Sequence, residues 1–302
     1  MKIFAIVVTW NGEKWIEKCL SSLMQSSVPV KIIAVDNASS DRTVSIIKEK
    51  YQSINLIETG SNLGFGKANN IGLRIAVQQN ADFIFLLNQD AWVDKNSIEN
   101  LVKITQSNEA YGIVSPFHIN GDNTALEYKF IEYIQPNVCP GLVSDFIMNK
   151  LLPIYETTFV NAAAWLISKK CLLAVGGFDP LYPHYGEDTD YIQRAQYFGF
   201  KIGIVPSVKI WHDSKILSWT EILKNRKRML TIYFSDVKSI GGSLRSNTLI
   251  FLKRRFDDLT SHLLFRRFKM FAYHFGLCWD IIWQLRKISK ARKISKTKGA
   301  FL

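Results

Sequence analysis

Residues Asp82–Asp94 read DFIFLLNQDAWVD. The apolar run Phe83–Leu87 drives straight into Asn88, Gln89 and Asp90, so the segment reads as a β-strand that ends on two carboxamides and a carboxylate. A strand that pushes such groups from its C-terminal edge points to a site. It also raises the question of what Asp90 holds, and why its two predecessors are neutral. Outward from this strand the chain alternates. KIFAIVVTW, VKIIAVDN and INLIETG read as three earlier strands, and YGIVSP as one that follows. Between them, GEKWIEKCLSSLMQ carries apolar residues at Trp15, Ile16, Cys19, Leu20 and Leu23, which is helical spacing. SSDRTVSIIKEKY opens on cap-type residues, and GKANNIGLRIAVQQN and KNSIENLVKITQS complete the helices. Strand–helix alternation of this kind predicts an α/β fold with right-handed crossovers and a mostly parallel sheet.

Parallel sheets bind ligands beyond the carboxyl ends of their strands. The polar residues at those ends are Thr9 and Asn11, Asp36 and Asn37, Asn88 to Asp90, and His212. They belong to separate strands, so the fold should gather them on one edge. Any one strand-end Asp means little, because Asp is a common turn residue. Residues 120–158 lose the rhythm and read as a variable insertion or loop. Order returns at FVNAAAWLISKKCLLAVGGFDP and continues as a helix and strand to His212.

The 302 residues suffice for one large α/β domain plus an appendage, and 47% apolar content builds a real core. The four cysteines form no C-x-x-C pair, so neither a zinc site nor a disulfide framework is suggested, and a reducing cytoplasm is the natural reading. The amino terminus reads as a first strand rather than a signal peptide, and no uncharged apolar stretch is long enough to span a membrane. The net charge of +12 is uneven. Residues 1–214 hold 18 Lys+Arg against 21 Asp+Glu, a balance of −3, whereas residues 215–302 hold 20 against 5, a balance of +15. The chain is therefore expected to divide into an α/β domain, 1–214, and a basic helical region, 215–302.

Six motifs occur in order: VVTWNG, VDNASSD, NLGFGKANNIG, LLNQDAWV, GGFDPLYPHYGEDTDY and VKIWHDS. Together they resemble the family 2 inverting glycosyltransferases, and rhamnosyltransferase-type bacterial members in particular. The resemblance covers roughly residues 1–214 and implies a GT-A fold that transfers a sugar from a nucleotide-diphosphate donor. It implies that Asp36 reads the nucleobase, whose imide N–H needs an acceptor, with Thr9 lining the same pocket. An Asx-turn is the competing reading of Asp36. NLGFGKANNIG is not a dinucleotide fingerprint, since it lacks G-x-G-x-x-G and follows the third strand. Gly64 there lets the backbone pass close to a nucleotide, and Asn62 and Asn70 either bind ribose or fix the loop. Asn88, Gln89 and Asp90 occupy the place of the family's Asp-x-Asp motif. Asp90 matches the carboxylate that holds a divalent cation, Mn2+ or Mg2+, against the donor's phosphates. Asn88 departs from the pattern, which weakens the expected metal affinity. His212 is the candidate second ligand, with a core histidine as its alternative.

The resemblance assigns the catalytic base to Asp188, which would take the proton of the attacking acceptor hydroxyl. Glu187 and Asp190 beside it are expected to raise its pKa. Glu187 and Trp165 are the acceptor-side candidates, a buried Trp being the plainer reading of Trp165. The basic region interleaves KNRKR, LKRR, FRRFK and SKARKISKTK with aromatics near helical spacing. That pattern fits an anionic membrane surface, and a subunit contact or internal packing competes with it. Nucleic acid ranks last, for want of any RNA-module signature. The expected function is transfer to a glycan or lipid-linked acceptor in surface polysaccharide synthesis, at the inner face of the plasma membrane. Two other readings stand beside it. A sugar-nucleotide nucleotidyltransferase would need a Gly-rich basic loop where TWNGEKW stands. A non-catalytic glycan- or RNA-binding protein would leave Asp188 without a task.

Overall fold

The computed structural model describes residues 1–182, 185–214 and 225–302. The first half runs β1 (Ile3–Thr9), α1 (Ile16–Met24), β2 (Val30–Asp36), α2 (Thr43–Lys50), β3 (Asn55–Glu58), α3 (Phe65–Gln78) and β4 (Phe83–Leu87). It continues through β5 (Ala91–Val93), α4 (Ser97–Ser107) and β6 (Tyr111–Asn120). Then come α5 (Phe130–Tyr133), α6 (Leu142–Ile147), β7 (Tyr155–Glu156), β8 (Ala164–Ser168), α7 (Lys169–Val175), α8 (Glu187–Tyr197) and β9 (Lys201–His212). The strands form one sheet in the order β3-β2-β1-β4-β8-β6-β9-β5, with β7 added to β9.

β1 lies between β2 and β4, parallel to both. Its side chains alternate: Phe4 and Ile6 enter one core cluster, while Ile3, Ala5 and Val7 enter the other. Both faces are covered, which is why the strand reads as a continuous apolar run. α3 packs closely on one face, where Gly72 allows the contact: a Cβ there would lie 2.7 Å from Ile6 Cγ2. The mixed character of the sheet comes from β8, which is antiparallel to both β4 and β6. β6 and β9 run parallel, but their register slips after Pro116 and Val205, at the point where β9 contains Pro206. Proline has no N–H to give the ladder, so a bulge there is expected. The 120–158 segment is less irregular than its sequence suggests, since it folds into α5, α6 and β7.

The basic region is helical: α9 (Arg226–Lys238), α10 (Leu244–Leu264), α11 (Phe268–Trp283) and α12 (Leu285–Ser295). It has its own apolar core, which includes Tyr233, Val237, Phe251, Leu277, Ile281 and Ile288. It is also stapled to α8. Lys238 is fully buried, and its ammonium pairs with Asp179 at 2.6 Å, with Asp190, and with the Ser295 hydroxyl at 3.0 Å. Arg194, equally buried, binds Asp190 at 2.9 Å and donates to the carbonyls of Val175 and Gly177 at 2.7 Å each. The chain end returns to the same place, with the Ala300 carbonyl accepting from Gly177 N at 2.7 Å. A boundary at 214 therefore separates two compositions, but the second part supplies a cation to the interior of the first.

Candidate active site

A cleft of about 700 Å³ opens at the carboxyl ends of β1 and β4, bounded by the start of α8 and the end of β9. Asn11, Asn88, Gln89, Asp90, Glu187, Asp188 and His212 all line it. Residues from four distant stretches of sequence are thus brought together at the strand ends, where a parallel sheet binds its ligands.

Gln89 answers half of the opening question. Its amide oxygen accepts from Trp10 N at 2.9 Å and its amide nitrogen donates to Trp10 O at 3.0 Å. That reciprocal pair needs one donor and one acceptor on the same side chain, which a carboxylate lacks. Gly12 leaves room for it, because a Cβ there would lie 2.2 Å from Gln89 Oε1. Asn88 is neutral beside an imidazole: its amide nitrogen is 3.4 Å from His212 Nε2. The same Nε2 lies 3.3 Å from Asp90 Oδ1. One carboxylate, one imidazole and one carboxamide suit a divalent cation, with fewer charges than a two-carboxylate site.

Asp188 and Glu187 open α8 at the other wall. Burial raises the pKa of both carboxyls, and Asp188 adds to the rise at Glu187, which is pushed up to about 8. Thr189 N donates to Asp188 at 2.8 Å, which opposes part of its rise. The expectation that Asp190 raises Asp188 is corrected: Asp190 is neutralised by Arg194 and Lys238, and desolvation is the largest cause. Among the described residues, three polar atoms of the cleft wall are buried without a protein partner, Glu187 Oε2, Asn161 Oδ1 and His212 Nδ1.

Other expected residues do not line the cleft. Asp36 and Thr9 are buried opposite one another in register, with the Thr9 hydroxyl donating to Asp36 at 2.7 Å. Ser39 N donates to the other Asp36 oxygen at 2.9 Å, closing the turn. Asn37 holds the next loop through Leu63 N, and Asn62 accepts from Gly64 N at 2.9 Å. Gly64 caps α3 with φ +81°, a region that favours glycine. Asn70 straps α3 to Phe178, accepting from its N–H at 2.7 Å and donating to its carbonyl at 2.8 Å. Trp165 is corrected from an acceptor floor to a core residue. It is fully buried, stacks on Phe178 at 6.4 Å, and contributes nothing to the cleft wall.

The cleft also contains residues that sequence reading passed over. Asp213 receives the indole N–H of Trp15 at 2.6 Å and the ammonium of Lys14 at 2.8 Å; these bonds lower its pKa. Its place directly after His212 was the available signal. Tyr133, Lys129 and Glu127 arrive from the 120–158 segment, where no periodicity marks them. His118 lies behind His212, and burial, with His212 beside it, holds its pKa well below the usual imidazole range.

A mixed sheet with an acidic cleft at its parallel strand ends is GT-A architecture, and solved structures share it. Staphylococcus aureus TarS 1–349 in complex with UDP-GlcNAc matches with a TM-score of 0.60 at 17% identity, over 98% of this chain and 86% of that one. Mannosyltransferase PcManGT from Pyrobaculum calidifontis, in complex with GDP-Man and Mn2+, gives 0.59 at 15% identity, over 94% and 87%. The chain belongs to glycosyl transferase family 2, whose family model matches residues 4–172, and it is a glycosyltransferase with similarity to rhamnosyltransferases. It is 28% identical over 215 residues to the dTDP-rhamnosyl transferase RfbF of Shigella flexneri, covering 70% of this chain and 68% of that one. It is 27% identical over 228 residues to the rhamnosyltransferase WbbL of Escherichia coli K12, covering 70% and 83%.

Proposed function

We propose that this glycosyltransferase moves a deoxyhexose or hexose from a nucleotide diphosphate to a hydroxyl of a glycan or lipid-linked acceptor, with inversion, in surface polysaccharide synthesis. The observation that carries the reading is Asp188: a carboxyl of raised pKa on the cleft wall, facing the same cavity as Asp90 and His212. A base poised in this way takes the proton of the attacking hydroxyl as the bond to the anomeric carbon forms. The similarity to dTDP-rhamnosyl and rhamnosyl transferases favours dTDP-rhamnose as donor, with a UDP-sugar as the alternative.

Asp36 would receive the imide N–H of the base on Oδ2, which keeps a lone pair beyond its bond from Ser39 N, whereas Oδ1 already accepts from the hydroxyls of Thr9 and Ser39. Asn161 and Glu187 would take sugar or acceptor hydroxyls on their unpartnered oxygens. Asp90 and His212 Nε2 would hold the divalent cation, Mn2+ or Mg2+, which when bound offsets the charge that develops on the leaving diphosphate. The test is a panel of labelled nucleotide sugars scored for transfer and for hydrolysis, with wild type against Asp188→Asn. Loss of turnover by about 10²–10⁴ with nucleotide affinity kept within a few fold supports the base. Near-normal turnover in the variant removes Asp188 from the role.

The helical region suits an anionic membrane face. Phe256, Phe265, Phe268, Trp279 and Trp283 are each more than half exposed on α10, α11 and their junction, among exposed Arg266, Arg267 and Lys269. Among the described residues no helix is long and apolar enough to cross a membrane. Association would therefore be peripheral, at the inner face where acidic lipids lie. Sedimentation with vesicles of acidic lipid should carry the protein down, and neutral vesicles should not. A salt-insensitive dimer that ignores both would assign this face to a subunit contact.

A further inference from the structure

His212 presents Nε2 to Asp90 and Asn88, but its buried Nδ1 has no partner. His118 repeats the pattern: Nε2 lies 3.1 Å from Ser115 Oγ, and Nδ1 is buried without a partner. Glu127, 2% exposed, receives Phe130 N at 2.8 Å on one oxygen and the Ser214 hydroxyl on the other. One ligand atom from each of His118, Glu127 and His212 lies within 4.8 Å of the other two. No lysine or arginine among the described residues forms an ion pair with Glu127. A buried carboxylate and two imidazoles, each with one uncommitted ring nitrogen, are therefore gathered in one place. Leaving a buried polar atom without a partner is unfavourable, so a shared occupant explains both Nδ1 atoms, while Glu127 keeps lone pairs beyond its two bonds.

We propose that His118, Glu127 and His212 form a second divalent-cation site, separate from Asp90, which takes a borderline cation such as Zn2+ on the two Nδ1 atoms and a Glu127 oxygen. The donor set fits that chemistry, since two neutral imidazoles and one carboxylate favour Zn2+ over the harder Mg2+. The surrounding shell is already built: each imidazole has its Nε2 beside an oxygen, Ser115 Oγ or Asp90 Oδ1, and the carboxylate is held by two donors. Glu127 and His212 both line the cleft, which provides the way in. One consequence rests on the donor-side reading above. A cation on Nδ1 leaves the Nε2–H of His212 to donate to Asp90, so the inner ion and the donor's Mn2+ draw on the same imidazole. Zn2+ should then antagonise Mn2+ in nucleotide binding.

The full chain, stripped of metal by chelator and free of nucleotide, would be dialysed against Zn2+, and Co2+ would be used as a visible-spectrum probe. One equivalent should bind to wild type and still to Asp90→Ala, weakened there by no more than the roughly 10–100-fold typical of losing an outer-sphere partner. Affinity should fall at least by the roughly 10–100-fold typical of losing even an outer-sphere partner in His118→Ala and in Glu127→Gln, with the Co2+ bands lost in parallel. Glu127→Gln keeps the side chain's shape and serves if His118→Ala does not fold, with circular dichroism as the check on both. Failure of wild type to bind a stoichiometric ion overturns the proposal. So does binding that survives in all variants, or that is lost in Asp90→Ala and kept in Glu127→Gln. Because nucleotide is absent, a failed donor-side reading would show separately, as Mn2+ without effect on nucleotide affinity while Zn2+ still binds.

Discussion

Glu187→Gln should stabilise the protein, increasingly so as the pH rises above 4.5. Glu187 is 5% exposed at the first turn of α8, and burial with Asp188 beside it raises its carboxyl from 4.5 to about 8. Below pH 4.5 the group is protonated in both folded and unfolded chains, so it makes no difference there. From pH 4.5 to 8 the unfolded chain ionises while the folded one holds its proton, so stability falls as pH rises, by about 1.4 kcal/mol per unit. The deficit reaches about 3 kcal/mol at pH 7 and levels off near 5 kcal/mol above pH 8. Glutamine keeps the shape without the ionisation, so it should recover that amount. Urea unfolding of both proteins at pH 4, 6, 7 and 8 would show midpoints that coincide at pH 4 and then diverge, with the slope m unchanged. A gap that does not vary with pH, or a glutamine variant less stable at pH 8, would refute the reasoning. The arrangement is instability retained at a site where a raised pKa is useful.

Gln89→Glu should weaken the loop that carries Trp10, since a carboxylate cannot donate to Trp10 O. A loss of about 1–3 kcal/mol in stability is expected, and equal midpoints in urea would contradict it. Lys238→Met should destabilise by about 3–5 kcal/mol, because Asp179 and Asp190 would remain buried with Arg194 alone. Adding Asp179→Asn should recover part of that loss, and strict additivity of the two substitutions would argue against the shared network. Asp90→Ala should abolish the effect of Mn2+ on nucleotide affinity in calorimetry, while Asn88→Asp should strengthen metal binding without nucleotide. By linkage, metal and nucleotide should tighten one another by the same factor in wild type, and full activity in excess chelator would sink the metal proposal.

Apart from β5 (Ala91–Val93), too short to show a period, the order of strands and helices through residue 120 was open to reading from the chain alone. Each element carries its own signal: apolar runs such as Phe83–Leu87, helical spacing in α1, and cap or turn residues between them. The strand-end residues were legible for the same reason, because a parallel sheet puts its carboxyl ends on one edge whatever the rest of the fold does. Direction and partnership were not legible. The run Ala164–Ser168 reads the same whichever way it is threaded, and only the sheet shows that β8 runs against β4 and β6. Trp165 carries no mark that tells a cleft floor from a core, and the stack on Phe178 decides it. Asp190 looks like a neighbour of Asp188 until Lys238, 48 residues on, reaches it from the basic region. His118, Glu127 and His212 become a cluster only because β6 lies beside β9 and the Glu127 segment folds back along them, Glu127 N donating to His118 O at 2.9 Å. Periodicity and turn chemistry act between residues a few positions apart, so they are written along the chain. Desolvation, ion pairing and ligand convergence depend on distance in space, so only the folded chain decides them.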